Sequence, residues 1–321
     1  MMTKTYRLDP ETYYFTFGPN PPALRVRSGD TVVAPTRDAG GLDADGKPMP
    51  EEKKPPGHGS KFVEANPLVG PIYVEEAEVG DALAVHIEAI ELTRRSAWSR
   101  LLPHFGSLTG EGPARELLLN EPIPQRDFEW ALDLEREVGV LELTHSRVSR
   151  IEIPLHPFLG SIGVAPRFGR AEMSLTPGDY GGNMDCVETK AGTTIYFPVG
   201  VQGAYLAFGD VHAAQGDGEL CGVALETTAE VTLRLEVLKG WAIDWPRLED
   251  DSYIMTAGSA RPLIDALRLA EVELVKWLTA DYGFEKWEAW QVVSQVGTIR
   301  VGNVVDPNYT VVAKFPKNCL P

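Results

Sequence analysis

The residues best suited to chemistry lie in a short segment, 209–226, which carries one histidine, one glutamine, four acidic side chains and four glycines. The glycines allow positive φ angles and a close approach of the backbone to a ligand. The imidazole and the carboxylates are donors that metal sites and acid–base sites use. The same composition also suits a polar surface turn, so the segment by itself leaves both interpretations open.

A second glycine-rich polar segment, 177–185, ends in Asn183 and Asp185. The residues between the two segments have the pattern of two antiparallel strands. Such a pair returns the chain to where it began, so we expect Asn183 and Asp185 to approach His212. With a further carboxylate they would form a nitrogen-and-oxygen ligand set that suits zinc, manganese or iron. That carboxylate would come from Asp210, Asp217, Glu219 or Glu226.

A cysteine nucleophile is the competing chemistry. The chain has three cysteines and no C-x-x-C pair, which argues against a disulfide framework or a thiolate zinc cluster and suits a reducing compartment. Cys186 follows Asp185 directly, and Cys221 lies two residues after Glu219. Cysteines in such positions are usually buried and inert. The segment 160–163 lacks the spacing of a serine nucleophile elbow.

Two further candidates flank a long loop, 40–62, which is rich in Gly, Pro, Asp, Glu and Lys and has no periodicity. Loops of this length in compact folds are often lids or binding loops. His58 lies between glycines near the end of this loop and could close over a site. Asp38 follows a strand-like run just before the loop.

The elements around these segments are mostly β. Residues 83–89 and 231–237 alternate apolar and polar side chains, which is typical of half-buried strands. Helical spacing is confined to the end of the chain, in a long segment at 259–280 and a shorter one at 284–293. No βα alternation and no G-x-G-x-x-G after a strand is present, which disfavours a dinucleotide fold.

We therefore predict a mostly β chain with a sandwich- or barrel-like core of short antiparallel strands, and with one long and one short helix near the C-terminus. An N-terminal part, 1–160, would hold the loop 40–62 and a hydrophobic flap, 94–136. A C-terminal part, 161–321, would carry both glycine-rich segments and the helices. The two parts would form either separate units or one intertwined unit.

The bulk composition narrows the function classes. With 43% hydrophobic and 24% charged residues, the 321-residue chain can form a packed core. A net charge of −16 repels phosphate backbones and anionic lipid, so we expect neither nucleic acid nor membrane as a partner. The polar N-terminus has no apolar signal region, and no run approaches the ~18 apolar residues of a membrane span. These features favour a cytoplasmic protein.

Several motifs resemble the acetamidase/formamidase family. The main ones are Pro177-Gly178-x-x-Gly181-Gly182-Asn183-x-Asp185, Pro198-Val199-x-x-x-Gly203-Ala204 and Gly209-Asp210-x-His212-Ala213-Ala214-Gln215-Gly216-Asp217-Gly218-Glu219. Gly163-Val164-Ala165-Pro166, and Asn66-Pro67-x-x-Gly70-Pro71 with Gly80-Asp81, also resemble the family. The resemblance implies a cytoplasmic, metal-associated, homo-oligomeric hydrolase that releases ammonia from a small amide of the acetamide or formamide type. It also places Asp38 where the family has an acidic residue after an early strand.

With this resemblance we expect a divalent metal, zinc in the first place, with manganese, iron or calcium as alternatives. The expected ligands are His212, Asp185, Asn183 and Asp38. The expected acid–base carboxylates are Glu219, Glu226 and Asp217. The expected substrate contacts are Gln215, Gly182, Gly216 and His58. The alternatives are a non-catalytic protein that binds a small amide or carboxylate, and a cysteine-dependent amidase that uses Cys186 or Cys221.

Overall fold

The computed structural model describes residues 3–55, 65–103, 105–108 and 123–321. Strands make up 40% of the described residues, and helices with the 3₁₀ turns make up 14%. The strands, in chain order, are β1 Thr5–Arg7, β2 Thr16–Phe17, β3 Leu24–Val26, β4 Thr31–Pro35, β5 Leu68–Val74, β6 Ala82–Leu92, β7 Ser96–Leu101, β8 Arg126–Asp133, β9 Val138–Glu142, β10 Arg150–Pro154, β11 Phe158–Gly163, β12 Glu172–Met173, β13 Gly181–Asn183, β14 Thr194–Pro198, β15 Leu206–His212, β16 Glu226–Thr227, β17 Ala229–Leu238, β18 Arg247–Glu249, β19 Tyr253–Ala260, β20 Thr298–Asn303 and β21 Tyr309–Pro316.

The first sheet has nine strands in the order β1-β4-β17-β6-β14-β18-β19-β21-β20. Its longest pair is β6 with β17, and both strands show the alternation read from the sequence, with Val231, Leu233 and Leu235 buried on one face. This pattern buries one face and leaves the other to solvent, as is common in antiparallel sheets.

The second sheet has ten strands. Eight follow the order β10-β9-β8-β7-β16-β15-β11-β13, while β5 pairs with β15 and β3 pairs with β5. Every residue of β11 and β15 is buried. One continuous core joins the two sheets, with Leu83 and Phe197 from the first sheet and Ile162 and Phe208 from the second. The predicted sandwich-like β fold is confirmed, and it does not close into a barrel.

The two helices pack on strands β19 and β21 of the first sheet. Helix α1, Leu263–Tyr282, follows Pro262 and ends at Gly283, whose φ of 72° provides the left-handed conformation common after helices. Helix α2, Lys286–Val296, begins at Glu285, whose carboxylate accepts the first free amides. Both predicted helices are confirmed. No helix in the described ranges is long and apolar enough to cross a membrane.

One topological expectation is wrong. Strands β14 and β15, which connect the two glycine-rich segments, do not pair with each other. β14 lies in the first sheet between β6 and β18, and β15 lies in the second sheet beside β11, β16 and β5. Each strand is central in its own sheet, so the chain crosses from one layer of the sandwich to the other between them.

The two irregular regions are described in part. The flap 94–136 contains β7 and β8, which pair in antiparallel fashion. The loop after Asp38 is irregular as far as residue 55, with one 3₁₀ turn at Glu51–Lys53. His58 lies outside the described residues. Both sheets contain strands from before and after residue 160.

Candidate functional site

The two glycine-rich segments meet because they share a neighbour. β11 lies between β13 and β15 and pairs with both, so that Ser161 stands opposite Asn183 on one side and opposite Gly209 on the other. Phe158 of the same strand lies opposite His212. The expected approach of Asn183 and Asp185 to His212 is therefore observed, but a third strand produces it and not a hairpin.

Gly160 of β11 leaves the space in which the site forms. A Cβ atom on this residue would lie 2.6 Å from Asp210 Oδ2, 2.8 Å from Asp185 Oδ1 and 2.8 Å from His212 Cε1. Side chains of three separate segments thus converge on a point that only glycine leaves open. The His212 ring is also held edge-to-face by Phe158, with the centroids 5.0 Å apart.

Gln215 fixes the orientation of His212. Its Nε2 donates to the main-chain oxygens of Asp185 at 2.9 Å and Gly302 at 3.0 Å, so its Oε1 faces His212 Nδ1 at 2.9 Å as an acceptor. Nδ1 therefore carries a proton, and in the neutral imidazole Nε2 presents its lone pair to the acidic cluster. Such a partner on the second ring nitrogen is usual for metal-binding histidines.

Five buried carboxylates surround this imidazole. His212 Nε2 lies 3.4 Å from Asp210 Oδ2 and 3.5 Å from Glu226 Oε1. Two groups have ligand atoms within 4.8 Å of one another, and they share the histidine: Asp185, His212 and Glu219, and Asp210, His212 and Glu226. The cluster consists of Asp185, Asp210, Glu219, Glu226 and Asp306, each less than a tenth exposed.

Asn183 connects the acids into one network. Its Nδ2 donates to Asp185 Oδ2 at 3.1 Å and to Asp306 Oδ2 at 2.7 Å. Its Oδ1 accepts from Asn66 Nδ2 at 3.0 Å and from the Ser161 hydroxyl. Asn66 Nδ2 also donates to Asp210 Oδ2 at 2.8 Å. The side-chain amide of Asn183 is therefore already fully hydrogen-bonded, and it holds the carboxylates apart.

The backbone is strained where these side chains leave it. Among the described residues, eight that are not glycine have positive φ, and four of them belong to this network: Asn66, Asp185, Asp210 and Glu219, with φ between 47° and 55°. Left-handed backbone in such residues costs of order 1 kcal/mol or more each and clusters at functional sites. The concentration of strain here indicates that side-chain placement outweighs local conformational preference.

Burial and neighbouring charges raise the pKa values of four acids of the cluster. Burial, followed by the neighbouring carboxylates, raises the pKa of Asp185 and Asp306 well above the usual range. Burial also raises the pKa of Glu226 well above that range, although His212 lowers it. Burial also raises the pKa of Glu219, to about 7. For His212, burial lowers the pKa, but Glu226 and Asp210 outweigh it and bring the pKa to about 10. The acids therefore favour positive charge among them, which His212 supplies when it is protonated.

These residues fit a divalent cation. Two buried oxygens, Asp185 Oδ1 and Glu226 Oε2, have no hydrogen-bond partner, which is costly unless a proton or an ion compensates them. Among the described residues, no lysine or arginine forms an ion pair with any of the five carboxylates. Carboxylate oxygens with one imidazole nitrogen are a donor set that zinc and other first-row divalent metals accept.

A cavity of about 380 Å³ opens onto the cluster. Its polar lining includes His212, Asp210, Glu219 and Glu226, with Asn66, Asn183 and Asp306. Its lining also includes Trp98, Arg100, Leu102, Phe105, Leu175 and Val223. Asp185 does not line the cavity, so it lies behind the acids that do.

Four of the expected site residues lie apart from the cluster. Asp38 is buried, and its carboxylate accepts from Arg94 at 2.8 Å, Trp98 Nε1 at 2.9 Å and Leu42 N at 2.9 Å. Asp217 is exposed and pairs with Arg300. A Cβ on Gly216 would meet nothing within 4 Å, and Gln215 lies behind His212 and not in this cavity.

Gly182 and the cysteines have other surroundings. Gly182, with φ of +96°, packs so closely on the main chain of Thr176 that a side chain does not fit. Cys186 is fully buried with its thiol towards Met184 O, and burial raises its pKa. Cys221 is half-buried with its thiol towards Val223 O. The surroundings of Cys186 therefore do not stabilise a thiolate.

Sequence reasoning did not assign roles to Asn66, Ser161 or Asp306. Asn66 belongs to the motif Asn66-Pro67-x-x-Gly70-Pro71, which also resembles the family, but this motif indicates no chemical role. Asp306 precedes a proline, and its local signal is that of an ordinary turn. Ser161 lies in an apolar strand, where a lone hydroxyl is unremarkable. Only the tertiary contacts with Asn183 show that the three residues belong to the site.

Known proteins are similar to this chain in both sequence and fold. A model of the acetamidase/formamidase family matches residues 169–320. The crystal structure of an acetamidase from Yersinia enterocolitica superposes with a TM-score of 0.85 and 37% identity, covering 100% of this chain and 94% of that one. An acetamidase from Bacillus halodurans gives 0.80 and 32%, with 98% of each chain covered.

A curated relative is more distant. A putative formamidase from Schizosaccharomyces pombe is 28% identical in an alignment 231 residues long that covers 55% of this chain. The match spans about half of that relative, 53% of its length. The resemblance read from the motifs around His212 is thus confirmed by the whole-chain similarity to solved structures.

Proposed function

Because this chain belongs to the acetamidase/formamidase family, we propose that it hydrolyses a linear carboxamide to a carboxylate and ammonia in the cavity beside His212. The observation that carries the proposal is the buried cluster of acids converging with His212 on Gly160. Acetamide and formamide, which give the relatives their names, are the first substrates to test.

A divalent cation is part of the proposal, with zinc as the first choice. His212 Nε2, Asp185, Asp210 and Glu226 would hold it, since they include the nearest oxygens to Nε2 and both unpartnered oxygens. When bound, such a cation supplies Lewis acidity that polarises an amide carbonyl and makes a water molecule more acidic. Asn183 and Gln215 would hold the ligands in place, as partners of the acids and of the imidazole.

Glu219 is the proposed proton carrier. It lines the cavity, and its pKa of about 7 lets the carboxyl group accept and release a proton near neutral pH. It would take a proton from the attacking water and deliver it to the departing nitrogen, because an amide nitrogen leaves poorly without protonation. Glu226 is less suited to this role, since burial raises its pKa well above the usual range and its Oε1 lies near His212.

Metal analysis combined with an ammonia-release assay tests this assignment. Purified protein should contain about one equivalent or more of a divalent metal, and a chelator should remove it together with activity. Replacing His212 with Ala should remove both. Glu219→Gln should keep the metal and lower kcat by 10²-fold or more, as for loss of a general acid–base group.

Asp217→Asn is the matched control. It lies in the same segment as Glu219 but is exposed and paired with Arg300, so we expect nearly unchanged activity. Full activity of His212→Ala would refute the metal assignment. Inhibition by a thiol reagent, with none by a chelator, would instead support the cysteine alternative. Ligand binding without ammonia release from any amide would support a non-catalytic binding protein.

A further inference from the structure

We propose that the cavity selects amides whose acyl group is apolar and larger than acetyl, with a flat aromatic ring as the best fit. The specificity-determining residues are Trp98, Leu102 and Phe105, with Leu175 and Val223 beside them. The inference rests on the proposed function, because it names the substrate class of the same site.

The size of the cavity is the first argument. Acetamide takes up about the space of two or three water molecules, roughly 60–90 Å³ at about 30 Å³ per water. The cavity holds about 380 Å³. A small amide placed at His212 would therefore leave most of this space to water, whereas pockets that enclose larger ligands begin at about 300 Å³.

The position of the apolar residues is the second argument. The hydrogen-bonding side chains are joined to one another around His212 and Asn183, and five apolar side chains line the cavity together with them. The polar group of an amide has its partners among the first set only. The carboxamide would lie at Glu219 and His212, and the acyl substituent would contact Trp98, Leu102 and Phe105.

We call the apolar side chains that line the cavity its wall, and the two aromatic ones, Trp98 and Phe105, are held in place by their neighbours. Trp98 Nε1 donates to the buried Asp38 carboxylate at 2.9 Å. A Cβ on Gly40 would lie 3.3 Å from Trp98 Cζ2, so the indole lies close against this glycine. Phe105 lies close against Gly222, where a side chain would overlap the ring. Fixed aromatic surfaces favour a flat partner, because they lose little entropy on contact. Asp38 thus acts as a positioning residue for Trp98.

The charge at the wall favours an uncharged acyl group. Arg100 is the cation that lines the cavity among the described residues, and it pairs with Asp127 of the adjacent strand β8. A substrate carboxylate would have to compete with Asp127 for this guanidinium. It would also lie near five buried acids, so an acidic acyl group is disfavoured.

A series of primary amides measures the preference. For formamide, acetamide, butyramide, hexanamide and phenylacetamide, we expect kcat/KM to rise about fourfold for each added methylene, from the free energy of burying that group. Phenylacetamide should exceed hexanamide because its ring is flat. Equal or higher kcat/KM for acetamide than for every larger amide would overturn the inference.

Variants test the wall itself. Leu102→Ala should lower the ratio of kcat/KM for phenylacetamide to that for acetamide by about tenfold. Phe105→Ala should do the same. Leu108→Ala is the matched control, since Leu108 is 70% exposed and does not line the cavity, and it should leave the ratio unchanged. An unchanged ratio in both wall variants would also overturn the inference.

A binding measurement separates this inference from the proposed function. Calorimetric titration of Glu219→Gln with phenylacetamide and with acetamide needs no turnover. Tighter binding of phenylacetamide, by at least tenfold, supports the inference even if no amide is hydrolysed by the wild-type protein. Equal binding of the two amides refutes the inference even if acetamide is hydrolysed.

Discussion

Replacing Gly160 with Ala should remove the candidate site while keeping the fold. The new methyl group would lie 2.6 Å from Asp210 Oδ2 and 2.8 Å from Asp185 Oδ1, both closer than real Cβ atoms come to other atoms. Gly160 lies in the middle of β11 and its φ is not positive, so alanine fits the local backbone. The conflict is therefore with the converging side chains and not with the strand.

The energetic cost of this overlap depends on whether the converging side chains or the strand can move. The carboxylates are held by Asn66 and Asn183, and His212 is held by Gln215 and Phe158. Relief of the overlap must therefore break some of these contacts or displace the strand. Overpacking of this kind costs about 1–3 kcal/mol, which a sandwich with a continuous core can tolerate. Displacing two ligands should lower metal affinity by 10²-fold or more.

Mass spectrometry measures the metal content, circular dichroism measures the secondary structure, and thermal unfolding measures the stability. We expect Gly160→Ala to show wild-type secondary structure, a melting temperature lowered by several degrees and less than a tenth of the wild-type metal. Gly216→Ala is the control, because a Cβ there meets nothing within 4 Å. Wild-type metal content and activity in Gly160→Ala would refute the convergence of these ligands on β11.

Three further predictions concern pH, Asp38 and Cys186. Without metal, the folded chain holds protons on Glu219 and His212, because their pKa values of about 7 and about 10 exceed the unfolded ones. The free energy of unfolding, measured by urea denaturation, should therefore fall as pH rises from 5 to 8, and Glu219 alone accounts for about 3 kcal/mol. A free energy of unfolding that rises over this pH range would contradict the prediction. Asp38→Asn should lower the free energy of unfolding by about 3 kcal/mol or more, because it removes the partner of the nearly buried Arg94. The metal content of this variant should stay normal. Loss of the metal would instead indicate that Asp38 is a ligand. Cys186→Ala should keep ammonia release within about twofold, because the buried thiol is not ionised; inactivity of the folded variant would count against this view.

The β character, the strand pattern and both helices could be read from the sequence because they depend on local periodicity. Alternation along β6 and β17 and the spacing in α1 survive in the structure. The layer to which a strand belongs is not a local property. β14 and β15 look alike in sequence, yet they lie in different sheets, and only their partners β6 and β11 decide this.

The candidate site was predicted where its residues are close in sequence and missed where they are not. Asp185 and His212 lie in motifs rich in glycine and polar residues, which made them visible. Asn66 and Asp306 are brought to Asn183 from the two ends of the chain, 117 and 123 residues away. No single-sequence pattern carries such a contact, and the positive φ of Asn66 and Asp185 becomes apparent only in the structure.

The spacing of His212 and Gln215 shows how a local motif acquires its meaning from distant backbone. The sequence predicts Gln215 as a substrate contact. The amide instead bridges the main-chain oxygens of Asp185 and Gly302, which lie after β13 and within β20. Because both are carbonyls, they dictate that Nε2 faces them and that Oε1 faces His212 Nδ1. The orientation of one glutamine thus sets which imidazole nitrogen meets the acids, and two backbone atoms far away in sequence set the orientation of the glutamine.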